Sequence, residues 1–358
     1  LKRLLEPLGY VIAPLTGSMT AREKKKIKEM LAMGLVNLAV GTHALMEDDV
    51  DFHKLGLAII DEQHRFGVMQ RLKLMKKGVH PDVLVMTATP IPRTLALTIY
   101  GDLDTSVIDE LPPGRQPIIT RHVKEDAIEM VWSFVLTEIQ AGRQAYVVYP
   151  VIEESETAAM KAAQQMHEHL STIVFPQLQV SLLHGKLPAA EKQTVMDSFK
   201  RGETHILVST TVIEVGVDVP NATVMVIEQA ERFGLAQLHQ LRGRVGRGGN
   251  QSHCVLVTSK LNDIGRERIR TMVTSNDGFH IAEVDMKLRG PGEFFGTKQS
   301  GIPELHFGNF IRDQDILEVA RDEAINFLDQ PPSEGEKQRA MAYLRDNWQR
   351  RYGLISVG

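Results

Sequence analysis

The chain has 358 residues, 43% hydrophobic and 24% charged, with a formal net charge of −4. That is the balance of a globular protein with room for two or three domains, and it rules out a global basic field for nucleic acid while leaving a local basic groove open. The single cysteine, Cys254, excludes an internal disulfide and fits a reducing, cytoplasmic compartment; no apolar run approaches the roughly 18 residues that cross a membrane, and no signal peptide is visible, so no membrane partner is expected.

The chain opens Leu1-Lys2-Arg3, without Met, in what reads as a helix already in progress, so a fragment of a longer protein is expected. Ala21 to Met33 is a charged helix with Ile27, Met30 and Leu31 on one apolar face. Short strands follow at Val36–Val40, Leu57–Ile60 and Val83–Met86. Each delivers polar residues at its carboxyl end: Gly41-Thr42-His43, Asp61-Glu62-Gln63-His64 and Thr87-Ala88-Thr89-Pro90. This is the α/β rhythm of a parallel sheet, whose ligands sit at that edge.

Leu111-Pro112-Pro113-Gly114-Arg115-Gln116-Pro117 breaks the rhythm and reads as a linker. Helices at 127–141, 158–170, 189–200 and 237–247 then alternate with strands at 145–149, 180–183, 205–209, 223–227 and 253–257. A second α/β domain is therefore expected over about residues 116–260. Beyond it come a helix at 264–274, a Gly-rich stretch from Gly290 to Gly308, and a helical tail at 314–327 and 334–350.

Three constellations carry chemistry. Asp61-Glu62 at a strand end suits one carboxylate that holds Mg²⁺ and a neighbour that orients an attacking water; the plainer reading of such a pair is an acidic turn capping a helix. Gln237 to Gly248 sets Arg242, Arg244 and Arg247 among three glycines, where guanidinium groups can stabilise a transferring phosphoryl group. The Gln240-x-x-Gly243-Arg244-x-Gly246-Arg247 pattern is specific, whereas Arg242 alone reads as part of a solvated face. Between them, Ser209-Thr210-Thr211 ends a strand and leads to Gly216 and Asp218. Hydroxyls and free N–H groups of this kind suit a sugar–phosphate backbone, and Asp218 could accept from a ribose hydroxyl.

In order, these segments resemble motifs II, III, V and VI of the superfamily-two helicases. The similarity is greatest to the RecG helicases, through Gly41-Thr42-His43-Ala44-Leu45, Leu183-His184-Gly185, the Asp109–Arg115 linker, and the block from Gly278 through Arg289 to Gln299-Ser300-Gly301. That block is similar to the translocation motif shared with the transcription-repair coupling factors (Mfd), whose motor is the alternative. The Asp61-Glu62-Gln63-His64 form favours RecG.

The resemblance implies tandem RecA-like parallel-sheet domains, the first incomplete (1–115, then 116–260), and a small, mainly helical C-terminal translocation region (261–358). It implies ATP and Mg²⁺ as cofactors, with ATP bound in the cleft between the two RecA-like domains. Asp61 would hold the metal and Glu62 act as general base; Arg244 and Arg247 would be arginine fingers, with Gln240 nearby. Gly216 and Asp218 would join the nucleotide site, and Gln63, His64, Thr87 and Thr89 would couple nucleotide state to closure. Thr42, His43, His184, Thr210 and Thr211 would contact DNA, and Arg289 and Gln299 would convert closure into movement.

The expected partners are branched or forked DNA, tracked as duplex during repair and recombination, and single-stranded DNA-binding protein. A motor of this family also needs a G-x-x-x-x-G-K-[ST] loop, which this sequence lacks. In the family that loop and the fork-splitting wedge lie upstream of the first motif found here, so the chain alone is expected not to hydrolyse ATP. The rival readings are a non-catalytic DNA- or partner-binding module and a metal hydrolase built on Asp61, Glu62 and His64. No histidine pair has zinc spacing.

Overall fold

The computed structural model describes residues 1–17, 19–62, 74, 77–79, 81–87, 104, 106–108, 110, 112–150, 156–210, 218–289, 313–330 and 333–344. The chain divides into two compact units, Leu1–Ala88 and Thr89–Gly358. Among the described residues no helix is long and apolar enough to cross a membrane.

In the first unit, helix α1 (Lys2–Leu5) precedes strand β1 (Ile12–Leu15), helix α2 (Ala21–Ala32), and strands β2 (Leu38–Gly41), β3 (Leu57–Ile60) and β4 (Asp82–Val85). β1 pairs with β2, and β3 with β4, both in parallel. Helix α2 begins on a reciprocal cap: the Thr20 hydroxyl accepts from the Glu23 amide, and the Glu23 carboxylate accepts from the Thr20 amide at 2.9 Å. This satisfies donors that no helical carbonyl can reach. Leu15, Leu31, Ala44 and Val50 form the local core. Strand β1 has no counterpart in the expected elements. Pro14 in the middle of its four residues hid it, because proline argues against a strand interior.

The second unit is built on six parallel strands: β5 (Ile119–Lys124), β6 (Gln144–Val148), β7 (Val180–Leu183), β8 (Ile206–Ser209), β9 (Ala222–Ile227) and β10 (His253–Thr258), in the order β5-β10-β9-β6-β8-β7. Helices α3 (Ile128–Gln140), α4 (Glu156–His169), α5 (Ala189–Lys200), α6 (Leu235–Arg242), α7 (Asp263–Thr274), α8 (Gly278–Arg289), α9 (Gln314–Asp329) and α10 (Glu334–Leu344) accompany it.

Alternate residues of the central strands feed two cores. Tyr146, Val148, Leu207, Met225, Ile227 and Leu256 pack with Phe199, Leu235, Leu238, Leu241, Ile269 and Met272. Ala145, Val147, Ile206, Val208, Val224 and Val226 pack with Val131, Trp132, Val135 and Phe175. Burial on both faces explains the near-continuous apolar runs of these strands. Each fully buried large side chain contributes about 1.5–3 kcal/mol through the hydrophobic effect.

Helix α6 is shorter than the expected 237–247. It starts two residues earlier, on Gly234, and ends at Arg242 with Gly243 as its cap. Arg244 and Val245 continue only as turns, through Arg244 N–H to Leu241 O and Val245 N–H to Arg242 O, and Gly246 has φ +75. Left-handed glycine ends the helical run, as it does at many helix termini.

Candidate functional site

In the first unit, the β3–β4 register aligns Ile60 with Val85, and the Met86 amide donates to Ile60 O at 2.8 Å. Asp61 therefore stands level with Met86, and Thr87 follows directly. Asp61 is exposed; Glu62 and Thr87 are half-buried. The chain turns sharply here. Glu62 has φ +54, and its amide donates to Asp61 Oδ1 at 2.8 Å. A glutamate in the left-handed region is uncommon and costs on the order of 1 kcal/mol or more, the kind of strain found at functional turns. The exposed Asp61 carboxylate at a strand end fits Mg²⁺, a hard ion that takes one or two carboxylates and leaves its other positions to water and phosphate. Among the described residues, no group of three or more His, Cys, Asp or Glu is placed to hold a metal ion. Thr42 and His43 lie exposed directly after β2. Gln63, His64 and Thr89 lie outside the described residues.

In the second unit, Asp218 and Arg247 meet at 3.8 Å, Oδ1 to Nε, and Arg247 Nε also donates to Gly243 O at 3.3 Å. Both side chains are solvent-accessible, so the ion pair adds little to stability. They line a cavity of about 590 Å³ together with Pro112, Pro113, Gly114, Arg115, Gly248 and Gly249. The cavity lies just ahead of the amino ends of β5, β9 and β10. Gly248 is essential to that packing, since a Cβ there would meet Pro220 O at 2.5 Å. Gln240 and Arg244 are half-buried beside it in sequence. Burial pushes the Tyr146 phenol up, and Arg244 and Arg247 work against that rise, which places both guanidinium groups near the sheet.

Two further candidates of this unit lie at the other edge of the sheet. His184 and Thr210 follow the ends of neighbouring strands β7 and β8, and the Thr210 amide donates to Leu183 O at 3.3 Å. Both are buried, at 8% and 4% exposure. Burial, then Lys192 and Lys186, holds the His184 imidazole below its usual range, and its Nδ1 has no hydrogen-bond partner among the described residues. Thr211, Gly216 and Gln299 lie outside the described residues.

Arg242 is not part of a solvated face. It is 2% exposed, and its Nη1 donates to Met272 O at 3.0 Å, Ser275 O at 2.8 Å and Thr120 Oγ1 at 3.4 Å, while Nη2 meets His239 Nδ1 at 3.0 Å. Carbonyls at the end of α7 present the negative end of that helix to the buried cation. The sequence carried one hint of this: Arg242 sits four residues from Leu238, on a helix whose other face is polar. Arg289, at the end of α8, pairs with buried Asp285 at 3.1 Å and lies over Gly234, where a Cβ would collide with its guanidinium.

Sequence reasoning also missed a carboxylate. Glu228 follows β9 at 7% exposure, next to Tyr149 at the end of neighbouring β6. Burial first, then Glu125 and Glu231, pushes its carboxyl up to about 7, against a hydrogen bond with Tyr149 that lowers it. The chain's connections reverse direction between these strands, a place where α/β sheets commonly bind ligands.

Three family models match the chain. Residues 1–98 match the DEAD/DEAH box helicase model, residues 126–249 the helicase conserved C-terminal domain, and residues 275–351 the C-terminal part of domain 3 of the ATP-dependent DNA helicase RecG. The chain is 54% identical over 319 residues to the ATP-dependent DNA helicase RecG of Synechocystis, covering 89% of this chain and 38% of that protein. It is 54% identical over 310 residues to its namesake from Streptococcus pneumoniae, covering 87% and 46% respectively. A solved structure of RecG bound to a three-way DNA junction superposes with a TM-score of 0.66 at 48% identity, over 88% of this chain and 41% of that one. The chain thus spans less than half the length of these relatives. The Mfd-type alternative is not favoured by these likenesses. Over the length that it spans, the chain belongs to the RecG helicase family.

Proposed function

We propose that this chain is the motor portion of an ATP-dependent DNA translocase that moves on duplex DNA and remodels forked or branched substrates. The observation that carries this reading is the turn after β3, where φ +54 at Glu62 and the Asp61 Oδ1 bond hold two carboxylates at one strand end. The namesake relatives and the junction-bound neighbour support the choice of DNA as partner. Residues 1–115, 116–260 and 261–358 are the three domains of this reading, and single-stranded DNA-binding protein is a further partner within it.

Mg²⁺, when bound, neutralises phosphate charge and fixes the triphosphate's orientation. Asp61 would hold the ion through its exposed carboxylate. Glu62 accepts a proton from the hydrolytic water as general base. Arg244 and Arg247 stabilise charge on the transferring phosphoryl group, and the Gly243–Gly249 backbone lets them approach it closely. Gln240, Gly216 and Asp218 complete the nucleotide contacts. Gln63, His64, Thr87 and Thr89 relay nucleotide state; Thr42, His43, His184, Thr210 and Thr211 contact the DNA backbone, and Arg289 and Gln299 transmit movement.

Without a G-x-x-x-x-G-K-[ST] loop the isolated polypeptide does not hydrolyse ATP; the protein that carries it does. The test is steady-state ATP hydrolysis by that protein with and without forked DNA. Turnover stimulated by DNA and lost in Glu62→Gln supports the reading. Turnover that persists in Glu62→Gln, or its absence on every DNA structure tried, sinks it.

A further inference from the structure

The cavity beside Asp218 and Arg247 has a wall supplied by the linker, to which no nucleotide role is given above. Pro112, Pro113, Gly114 and Arg115 form it. Arg115 is half-buried, and its Nε donates to Gly246 O at 2.9 Å. That single bond aims the guanidinium, because Nε is one of five donors in a planar fork. The terminal nitrogens make no ion pair among the described residues, and the residue lines the cavity.

The segment carrying Arg115 is fixed on both sides. Gln251 Nε2 donates to Pro117 O at 2.8 Å, and the Ile119 amide donates to Ser252 O at 3.0 Å. Ile118 fills the space against Gly246, where an added Cβ would lie 2.9 Å from its Cγ1. The wall is therefore part of the same packed body as the Gly243–Gly249 turn.

Charge and size then describe the ligand. Two guanidinium groups and one carboxylate leave the lining with one excess positive charge, and the volume lies within the few-hundred to roughly 1,000 Å³ of small-molecule sites. Arginine forks match phosphate oxygens, and Asp218 is exposed enough to accept from a hydroxyl. A phosphate ester of a sugar meets both demands. We propose that Arg115 is a second phosphate-binding guanidinium of this cavity, gripping the nucleotide's phosphate alongside Arg247. This rests on the ATP-driven reading above and adds a binding residue to the nucleotide contacts named there.

The test uses the protein that carries this chain, with forked DNA saturating. Binding of a fluorescent ATP analogue, and KM and kcat for ATP, are measured for wild type and Arg115→Gln, with Glu62→Gln as a control. The expected result is a rise of about tenfold or more in Kd and KM, a difference of about 1.4 kcal/mol, with kcat within threefold. Arg115→Met, which keeps the packing of the stem, gives the same readout if Arg115→Gln does not fold. Kd and KM within twofold of wild type overturn the proposal. So does a fall in kcat at constant KM, which reduces Arg115 to a prop for the turn, or a loss of DNA affinity with nucleotide affinity intact, which makes the phosphate DNA's. If Glu62→Gln is inactive while Arg115→Gln binds nucleotide normally, only this inference falls. If Glu62→Gln turns over freely, the ATP-driven reading itself falls.

Discussion

Glu228 keeps a proton in the folded protein that a solvated glutamate releases. Burial, then the neighbouring Glu125, raises it from 4.5 to about 7. Between those values the folded state binds more protons than the unfolded one, so stability falls as pH rises through that window and the full penalty stands above pH 7. By linkage the penalty is about 3 kcal/mol at most. Glu228→Gln is therefore expected to raise unfolding free energy by about 1–3 kcal/mol at pH 8 and to change it little at pH 4.5. Urea unfolding at the two pH values checks this, and an equal effect at both would contradict it. Nothing in the residue order around Ile227-Glu228-Gln229 announced the site; its pKa comes from strands brought together by crossovers. Asp61 and Glu62 were legible because one strand end and two adjacent residues contain them, although the left-handed turn at Glu62 was not.

At the scale of elements, a buried cation ties the end of α7 to α6. Arg242 has four neutral acceptors and, among the described residues, no carboxylate partner, and burial lowers its pKa. Removing it strands the Met272 and Ser275 carbonyls, so Arg242→Ala is expected to cost about 2–4 kcal/mol, since hydrogen bonds to a charged group contribute about 1.5–3 kcal/mol each. Denaturant titration followed by helical signal reads this; a cost below 1 kcal/mol contradicts the anchoring role. His239, held down to about 4 first by burial and then by Arg242, works in the same place. Its folded pKa lies below the usual 6.5, so its stability is full above pH 6.5 and is lost as pH falls towards 4.

Gly246→Ala meets both φ +75 and the Ile118 side chain, and is expected to destabilise by about 1–2 kcal/mol, seen as a lower Tm. No change in Tm would mean that the turn relaxes freely. Helices and buried strands of the second unit were readable because 3.6- and 2-residue periodicities record burial. The end of α6 was not: Gln240 to Arg247 keeps helical composition, and only Gly243 and Gly246 betray the stop. Strand β5 was missed because Ile119-Thr120-Arg121-His122-Val123-Lys124 lies on the sheet edge and is only partly buried.

For the whole molecule, motif order in one sequence identified the α/β architecture and the RecG family, because the charged groups of phosphoryl-transfer motors occur in short runs with distinctive spacing. The cavity was less legible. Asp218 and Arg247 were named, but not that they stand at the amino edge of the second unit's sheet, away from His184 and Thr210, nor that the linker supplies a wall. Those facts depend on residues 115, 218 and 247 meeting across long stretches of chain.

The proposed function gives Asp61 and Glu62 the metal and the water, and Arg244 and Arg247 the charge on the transferring phosphoryl group. Its most direct measurement is DNA-stimulated ATP turnover by the protein that carries this chain, comparing wild type with Glu62→Gln and Arg247→Ala at saturating nucleotide. Each substitution is expected to lower kcat at least a hundredfold, about 2.7 kcal/mol of transition-state stabilisation, with nucleotide still bound by Glu62→Gln. Turnover within threefold of wild type in Glu62→Gln would contradict it.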